Sequence, residues 1–191
     1  NKIILTTLDL SEEMMIQHYH RLIKFNPQII YGNPSAIYIF TRFLIEQDLD
    51  RKKIKPKAII STTEILHQYQ RKLMEETFQC PVINEYGCAE LGIIAFECPE
   101  HNLHLATENV LVEFMKDGTH CQPDEYGEMV VTNLNNYIMP FIRYKLGDVG
   151  RIKPGTCACG KKLPMLDLII GRDCDTIVLE DKELPGAVLF S

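Results

Sequence analysis

The stretch PVINEYGCAE, residues 81–90, is where the pattern of the sequence changes. Val82 and Ile83 give it the β-rich character of a buried strand, and Gly87 closes that run. Before it, short β-rich runs alternate with helical patterns, which is the signature of an α/β layer. KIILTT (2–7) is expected as a strand, and residues 11–25 as a helix with Ser11 as cap and Glu12 and Glu13 in the favourable first turn. QIIYG (28–32) predicts a second strand and a Gly32-Asn33-Pro34 turn. Ser35 is then expected to cap a helix whose Ile37, Phe40 and Leu44 recur at three- and four-residue spacing. AIIS (58–61) predicts a third strand, residues 63–77 a helix, and PVINEYG (81–87) a fourth strand. DRKKIKPK (50–57) reads as a solvated basic linker.

After Gly87 the runs GIIAFE, NVLVEF, GEMVVTNL, DVGRIK, LDLIIG and DTIVLED are short, β-like and separated by turn-rich segments. The expected fold class is therefore α/β: a parallel α/β layer over residues 1–95, followed by a mostly antiparallel β subdomain over 96–191.

At 191 residues the chain is long enough to bury a core without disulfide staples, and its 46% hydrophobic content argues against disorder. A net charge of −6 offers no electrostatic attraction for a nucleic acid or an anionic membrane, so neither is expected as a partner. No run approaches the roughly 20 apolar residues of a bilayer span, and the first residues lack the layout of a secretory signal. A cytoplasmic location is the expectation. Seven cysteines, two of them as Cys157-Ala158-Cys159, favour reduced thiols or metal ligation over a disulfide scaffold.

Cys98 and His104 in ECPEHNLHL, with Cys157 and Cys159 in GTCACGKK, have the chemistry of a closed four-ligand metal site. Thiolates and an imidazole suit tetrahedral Zn²⁺, and a full ligand set leaves no place for a catalytic water, so the site would be structural. His101 competes with His104 for the nitrogen position. Cys80, Cys88, Cys121 and Cys174 have no partner at ligand spacing and read as buried small residues or free thiols.

Ligands of open parallel sheets bind beyond the carboxyl ends of strands. Glu90, closing Tyr86-Gly87-Cys88-Ala89-Glu90, offers a carboxylate to Mg²⁺, while Gly87 permits close approach of a ligand to the backbone. Asp148, in Arg143-Tyr144-Lys145-Leu146-Gly147-Asp148, can accept from a pair of sugar hydroxyls, and Arg172 can meet a phosphate or carboxylate.

These segments resemble, in order and over nearly the whole chain, the adenylate-forming ligases, in the branch of phenylacetate–coenzyme A ligase and its capsule-biosynthesis relatives. YGCAE resembles the Tyr-Gly-x-Thr/Ser-Glu motif, RYKLGD the motif ending in Gly-Asp, IIGRDCD the Gly-Arg segment near the hinge, and ECPEHNLHL with CACG the zinc-binding insertion. The resemblance implies a partial adenylate-forming N-terminal domain and favours His104 over His101. It further implies that Tyr86, in the Tyr86-Gly87-Cys88-Ala89-Glu90 motif, lies against adenine, that Glu90 binds Mg²⁺ at the phosphates of ATP, that Asp148 binds the ribose and that Arg172 contacts ribose or phosphate. Thr63 and Glu64, in Ser61-Thr62-Thr63-Glu64, fall where the family carries a loop near the adenine and acyl group. The implied reaction joins a small-molecule carboxylic acid to ATP as acyl-adenylate plus pyrophosphate, then passes the acyl group to a thiol, commonly coenzyme A.

Ala89 replaces the usual hydroxyl before the glutamate, Leu146 stands where Thr is common, and the Ser61 region lacks the usual glycines. The upstream phosphate loop and the C-terminal lid with its catalytic lysine are missing, and Lys182 follows the Gly-Arg segment too closely to replace that lysine. The chain is thus expected to be an internal fragment, inactive alone and completed by the remaining parts of its polypeptide. The rival expectation is a catalytically diverged, zinc-stabilised domain with a structural or protein-binding role.

Overall fold

A computed structural model describes residues 2–122, 124–172, 176–178 and 183–185, the side chains only as far as residue 168. The chain divides into two compact units, residues 1–85 and 86–191.

In the first unit α1 (Glu12–Phe25) begins where Ser11 accepts from the backbone of Met14 and stops at Asn26, which takes the left-handed conformation at φ 51°. Its buried residues Met15, His18, Tyr19 and Leu22 fall on one stripe. β1 (Ile29–Gly32), β2 (Ala58–Ser61) and β3 (Val82–Cys88) pair in parallel in that order, joined by α2 (Pro34–Glu46) and α3 (Gln68–Phe78). Leu44, Ile54, Ile59 and Met74 lie at the centre of this core. Ile54 falls inside the basic linker, whose Arg51–Lys53 form a turn of 3-10 helix, so that linker is anchored rather than wholly solvated. α3 also clips the start of β3: Arg71 donates to the carbonyl of Val82, and Glu75 accepts from its N–H at 3.0 Å.

Three expectations fail here for local reasons. Residues 2–7 form no strand; Ile3 and Leu5 pack on the core, while the carbonyls of Ile4 and Thr6 accept from Arg21 and His18 of α1, so side chains take the place of a strand partner. α2 starts at Asn33 rather than Ser35, because Pro34 fits the first helical position and Ser35 donates its hydroxyl to Glu64. The helix expected from 63 begins at Gln68: Thr63 sits at φ 72°, which no helix continues, and the start is reset where Gln70 accepts from the N–H of His67.

The second unit is the expected antiparallel sheet, ordered β4-β5-β10-β9-β8-β6-β7. Its strands are β4 (Gly92–Glu97), β5 (Leu103–Leu105), β6 (Val110–Lys116), β7 (Thr119–His120), β8 (Gly127–Asn133), β9 (Tyr144–Lys153) and β10 (Met165–Arg172). β11 (Thr176–Val178) and β12 (Glu183–Pro185) form a separate antiparallel pair. Leu91, Ile94, Leu105, Met129, Val131 and Leu166 form the core beneath the sheet.

Candidate functional site

The end of β3 and the start of β9 bring the YGCAE and RYKLGD motifs together. Tyr86 donates its hydroxyl to Asp148 Oδ2 at 2.6 Å, and Tyr144 donates to Glu90 Oε1 at 3.3 Å. Each motif thus supplies one tyrosine and one carboxylate, and the two pairs interlock. Phe141 meets Tyr144 edge-on at 5.2 Å, giving the cluster an aromatic wall. RYKLGD lies largely inside a strand, since β9 starts at Tyr144. Gly147 takes φ 78°, and the β9–β10 ladder is irregular between Ile169 and Arg172, which puts Arg172 opposite Asp148. The Arg172 side chain, and all of Asp173, Cys174 and Lys182, lie outside the described residues.

The close approach at Gly87 is made by the chain itself, because a Cβ there would collide with the carbonyl of Gly92. Glu90 and Ala89 are exposed on the turn that follows β3. Thr63 and Glu64 belong to the first unit and are exposed. Partial burial opposes ionisation of Glu64, yet hydrogen bonds from Ser35 and Asn33 outweigh it and hold the carboxyl below its usual range. Thr63 is a β-branched residue in left-handed backbone, a conformation that costs of order 1–3 kcal/mol and concentrates at functional sites.

Cys98, His104, Cys157 and Cys159 converge, with one ligand atom of each within 4.8 Å of the others. Cys98 Sγ lies 3.6 Å from Cys157 Sγ, and Cys159 Sγ 3.4 Å from His104 Nε2. Sulfurs bound at about 2.3 Å around a tetrahedral ion stand roughly 3.8 Å apart, so the donor set fits such an ion. Cys98 and His104 are 4% and 2% exposed, whereas Cys157 and Cys159 come from a loop turned by Gly155 and Gly160 at φ 95° and 80°. His104 Nδ1 is 3.0 Å from the carbonyl of Leu163, the outer contact that orients a ligating imidazole. Hydrogen bonding led by the backbone of Cys159 lowers the Cys157 thiol to about 6, towards the thiolate a metal binds, while at Cys159 a backbone hydrogen bond from Lys161 is outweighed by burial and the neighbouring sulfurs, which raise it. His101 points elsewhere, 3.3 Å from Glu97.

Sequence reasoning passed over Glu85. It is 7% exposed and accepts from Tyr31 at 2.6 Å and Thr62 at 3.1 Å. The signal was its place, a carboxylate within β3 level with the carboxyl end of β2.

The parallel layer, the antiparallel sheet and the interlocked motifs define the class: the chain has the fold of adenylate-forming acid–thiol ligases. It superposes with a TM-score of 0.77 on 2-hydroxyisobutyryl-CoA ligase crystallised in an open conformation with 2-HIB-AMP and CoA, at 18% identity over 92% of this chain and 43% of that one. Against O-succinylbenzoate coenzyme A synthetase of Bacillus subtilis with ATP and magnesium the TM-score is 0.62, at 19% identity over 93% of this chain and 39% of that one. In sequence it is 24% identical to protein CapK of Staphylococcus aureus over all of this chain and 41% of that protein. It is 25% identical to phenylacetate-coenzyme A ligase of Pseudomonas putida over 81% of this chain and 36% of the relative. The chain thus spans about two fifths of the length of these relatives. No protein-family model matches it. Among the described residues no helix is long and apolar enough to cross a membrane.

Proposed function

We propose that this chain is the part of an ATP-dependent carboxylate ligase that holds the nucleotide, in an enzyme of the phenylacetate–coenzyme A ligase and capsule-biosynthesis branch. That enzyme joins a carboxylic acid to ATP as an acyl-adenylate with loss of pyrophosphate, then passes the acyl group to a thiol, coenzyme A in the first instance. The observation that carries the reading is the interlocked pair Tyr86–Asp148 and Tyr144–Glu90, in which two distant motifs of the resemblance meet at one place.

Tyr86 offers its ring to the adenine. Asp148 exchanges its tyrosine partner for the ribose hydroxyls, for which a carboxylate with two oxygens is the matching acceptor. Gly87 and Ala89 keep the turn at the end of β3 short, so that Glu90 stands ready to hold Mg²⁺ beside the phosphates, with Arg172 opposite Asp148 adding positive charge. By the resemblance alone, Thr63 and Glu64 of the first unit are the candidates for contact with the adenine and acyl group. Charge stabilisation on the phosphates, rather than a general base, is the chemistry such a set supplies. The Cys98, His104, Cys157 and Cys159 cluster holds structural Zn²⁺, which contributes folding energy and leaves no position for a reacting water. None of the six described cysteines is in a disulfide, which suits a cytoplasmic location. By this reading the chain is inactive alone and needs the remaining parts of its polypeptide.

The test is carboxylate-dependent exchange of labelled pyrophosphate into ATP by the full-length protein. Exchange that appears with an acid, and falls at least about a hundredfold in Asp148→Asn, is the expected result. A protein that binds zinc and folds but shows no exchange with any acid, and no ATP binding, would establish the diverged structural domain instead.

A further inference from the structure

We infer that the Glu85 carboxylate, held by the hydroxyls of Tyr31 and Thr62, receives an ammonium group of the acid substrate, so that the substrate class is an amino-substituted carboxylic acid. The inference rests on the adenylating function proposed above and names the substrate class for it.

Position comes first. Tyr31 lies on β1, Thr62 directly follows β2 and Glu85 lies within β3, so three successive parallel strands deliver one side chain each to the same spot, level with the carboxyl ends of β1 and β2. That is where parallel sheets receive ligands. Glu85 also directly precedes Tyr86, the residue assigned to the adenine.

Charge comes second. Among the described residues, Asp167 has Arg151 at 2.9 Å and Glu113 has Arg143 at 3.2 Å. Glu85, at 7% exposure, makes no ion pair among the described residues; its neighbours are two neutral hydroxyls, and both donate to Oε1. An ionised carboxylate accepts about four hydrogen bonds, so two of its acceptor positions remain for a ligand. A buried charge without a counter-ion is costly, and a bound ammonium removes that cost while a methyl group in its place does not. Tyr31, the outer of the two hydroxyl partners, is 60% exposed. Sites built to bond a polar substrate group discriminate against analogues lacking it far more strongly than apolar pockets discriminate by size, by up to about 10⁴-fold.

The experiment compares isosteric acids on the full-length protein: 6-aminohexanoate against heptanoate, and 4-(aminomethyl)benzoate against 4-ethylbenzoate. The ratio of kcat/KM for pyrophosphate release is expected to favour the ammonium member at least about tenfold in one pair, and to collapse in Glu85→Gln. Equal use of both members, preference for the neutral ones, or a ratio that survives Glu85→Gln would overturn the inference. A lowered melting temperature with an unchanged ratio would mark Glu85 as a structural tie and overturn it equally. Should Glu85→Gln fail to fold, Tyr31→Phe serves in its place, with a ratio reduced severalfold expected and an unchanged ratio counting against the site. If no acid releases pyrophosphate, the adenylating reading fails by itself. Calorimetry of 6-aminohexanoate with the full-length protein then decides the ammonium site: binding that Glu85→Gln abolishes supports it, and no binding overturns it.

Discussion

A single missing side chain decides how β3 ends. Gly87 is required because the carbonyl of Gly92 occupies the space a Cβ would take. Gly87→Ala must therefore shift backbone rather than a flexible side chain. It is expected to destabilise the second unit by about 1–3 kcal/mol, read by denaturant titration, and to loosen the Tyr86–Asp148 bond. Cys157→Ala removes one of the four candidate ligands of the proposed zinc site, whose atoms lie within 4.8 Å of one another. Because metal-binding energy at such a site is folding energy, elemental analysis is expected to fall from about one zinc per chain towards none, with a lower melting temperature. Unchanged metal content in that variant would dissolve the assignment. The residue types of this cluster were legible in the sequence, since Cys-x-Cys between glycines announces itself. Glu85 was not, because a glutamate inside a strand looks like any solvated acid until its burial and its two hydroxyl partners are known.

Among the helices, α2 carries the clearest dependence on a distant group. Glu64 accepts from the Ser35 N–H at 3.3 Å, from the Ser35 hydroxyl and from Asn33 at 3.1 Å, so a carboxylate from beyond β2 caps the start of α2. Negative charge at a helix N-terminus is favourable, and losing a cap of this kind costs about 0.5–2 kcal/mol. Glu64→Gln should therefore weaken the first unit modestly at neutral pH. Since the folded carboxyl is held below the usual 4.5, its contribution is complete above that value and disappears as pH falls through the folded pKa. The stability difference between wild type and Glu64→Gln is accordingly expected to close as pH falls below the usual carboxylate range; a difference independent of pH would refute the charged cap. Helix spacing was readable at this scale, as the buried stripe of α1 demonstrates. Helix starts were less so: Ser35 looks like a cap by residue type, but Pro34 moves the start back to Asn33 and frees Ser35 for Glu64.

Across the whole molecule the two units draw on different sources of stability. The first has apolar layers on three parallel strands, with Leu44, Ile59 and Met74 fully buried. The second is a sheet whose edge loops are gathered by the cysteine and histidine cluster. Chelation under reducing conditions is therefore expected to strip hydrogen-exchange protection from β5 and β10 while protection at β1 and β2 persists. Equal loss in both units would show that the cluster stabilises the chain globally rather than locally.

The α/β layer, the antiparallel second part and the ligand types of the metal cluster follow from the sequence by itself, because apolar periodicity and the spacing of cysteines are local properties that each segment carries with it. Whether KIILTT becomes a strand, where α3 begins and which acids stand near which hydroxyls were decided only by the tertiary structure. A strand exists only with a partner, and the carbonyls of Ile4 and Thr6 found side chains of α1 instead. A buried carboxylate takes its meaning from its neighbours: those of Glu85 are Tyr31 and Thr62, 54 and 23 residues away along the chain, a distance that only folding closes.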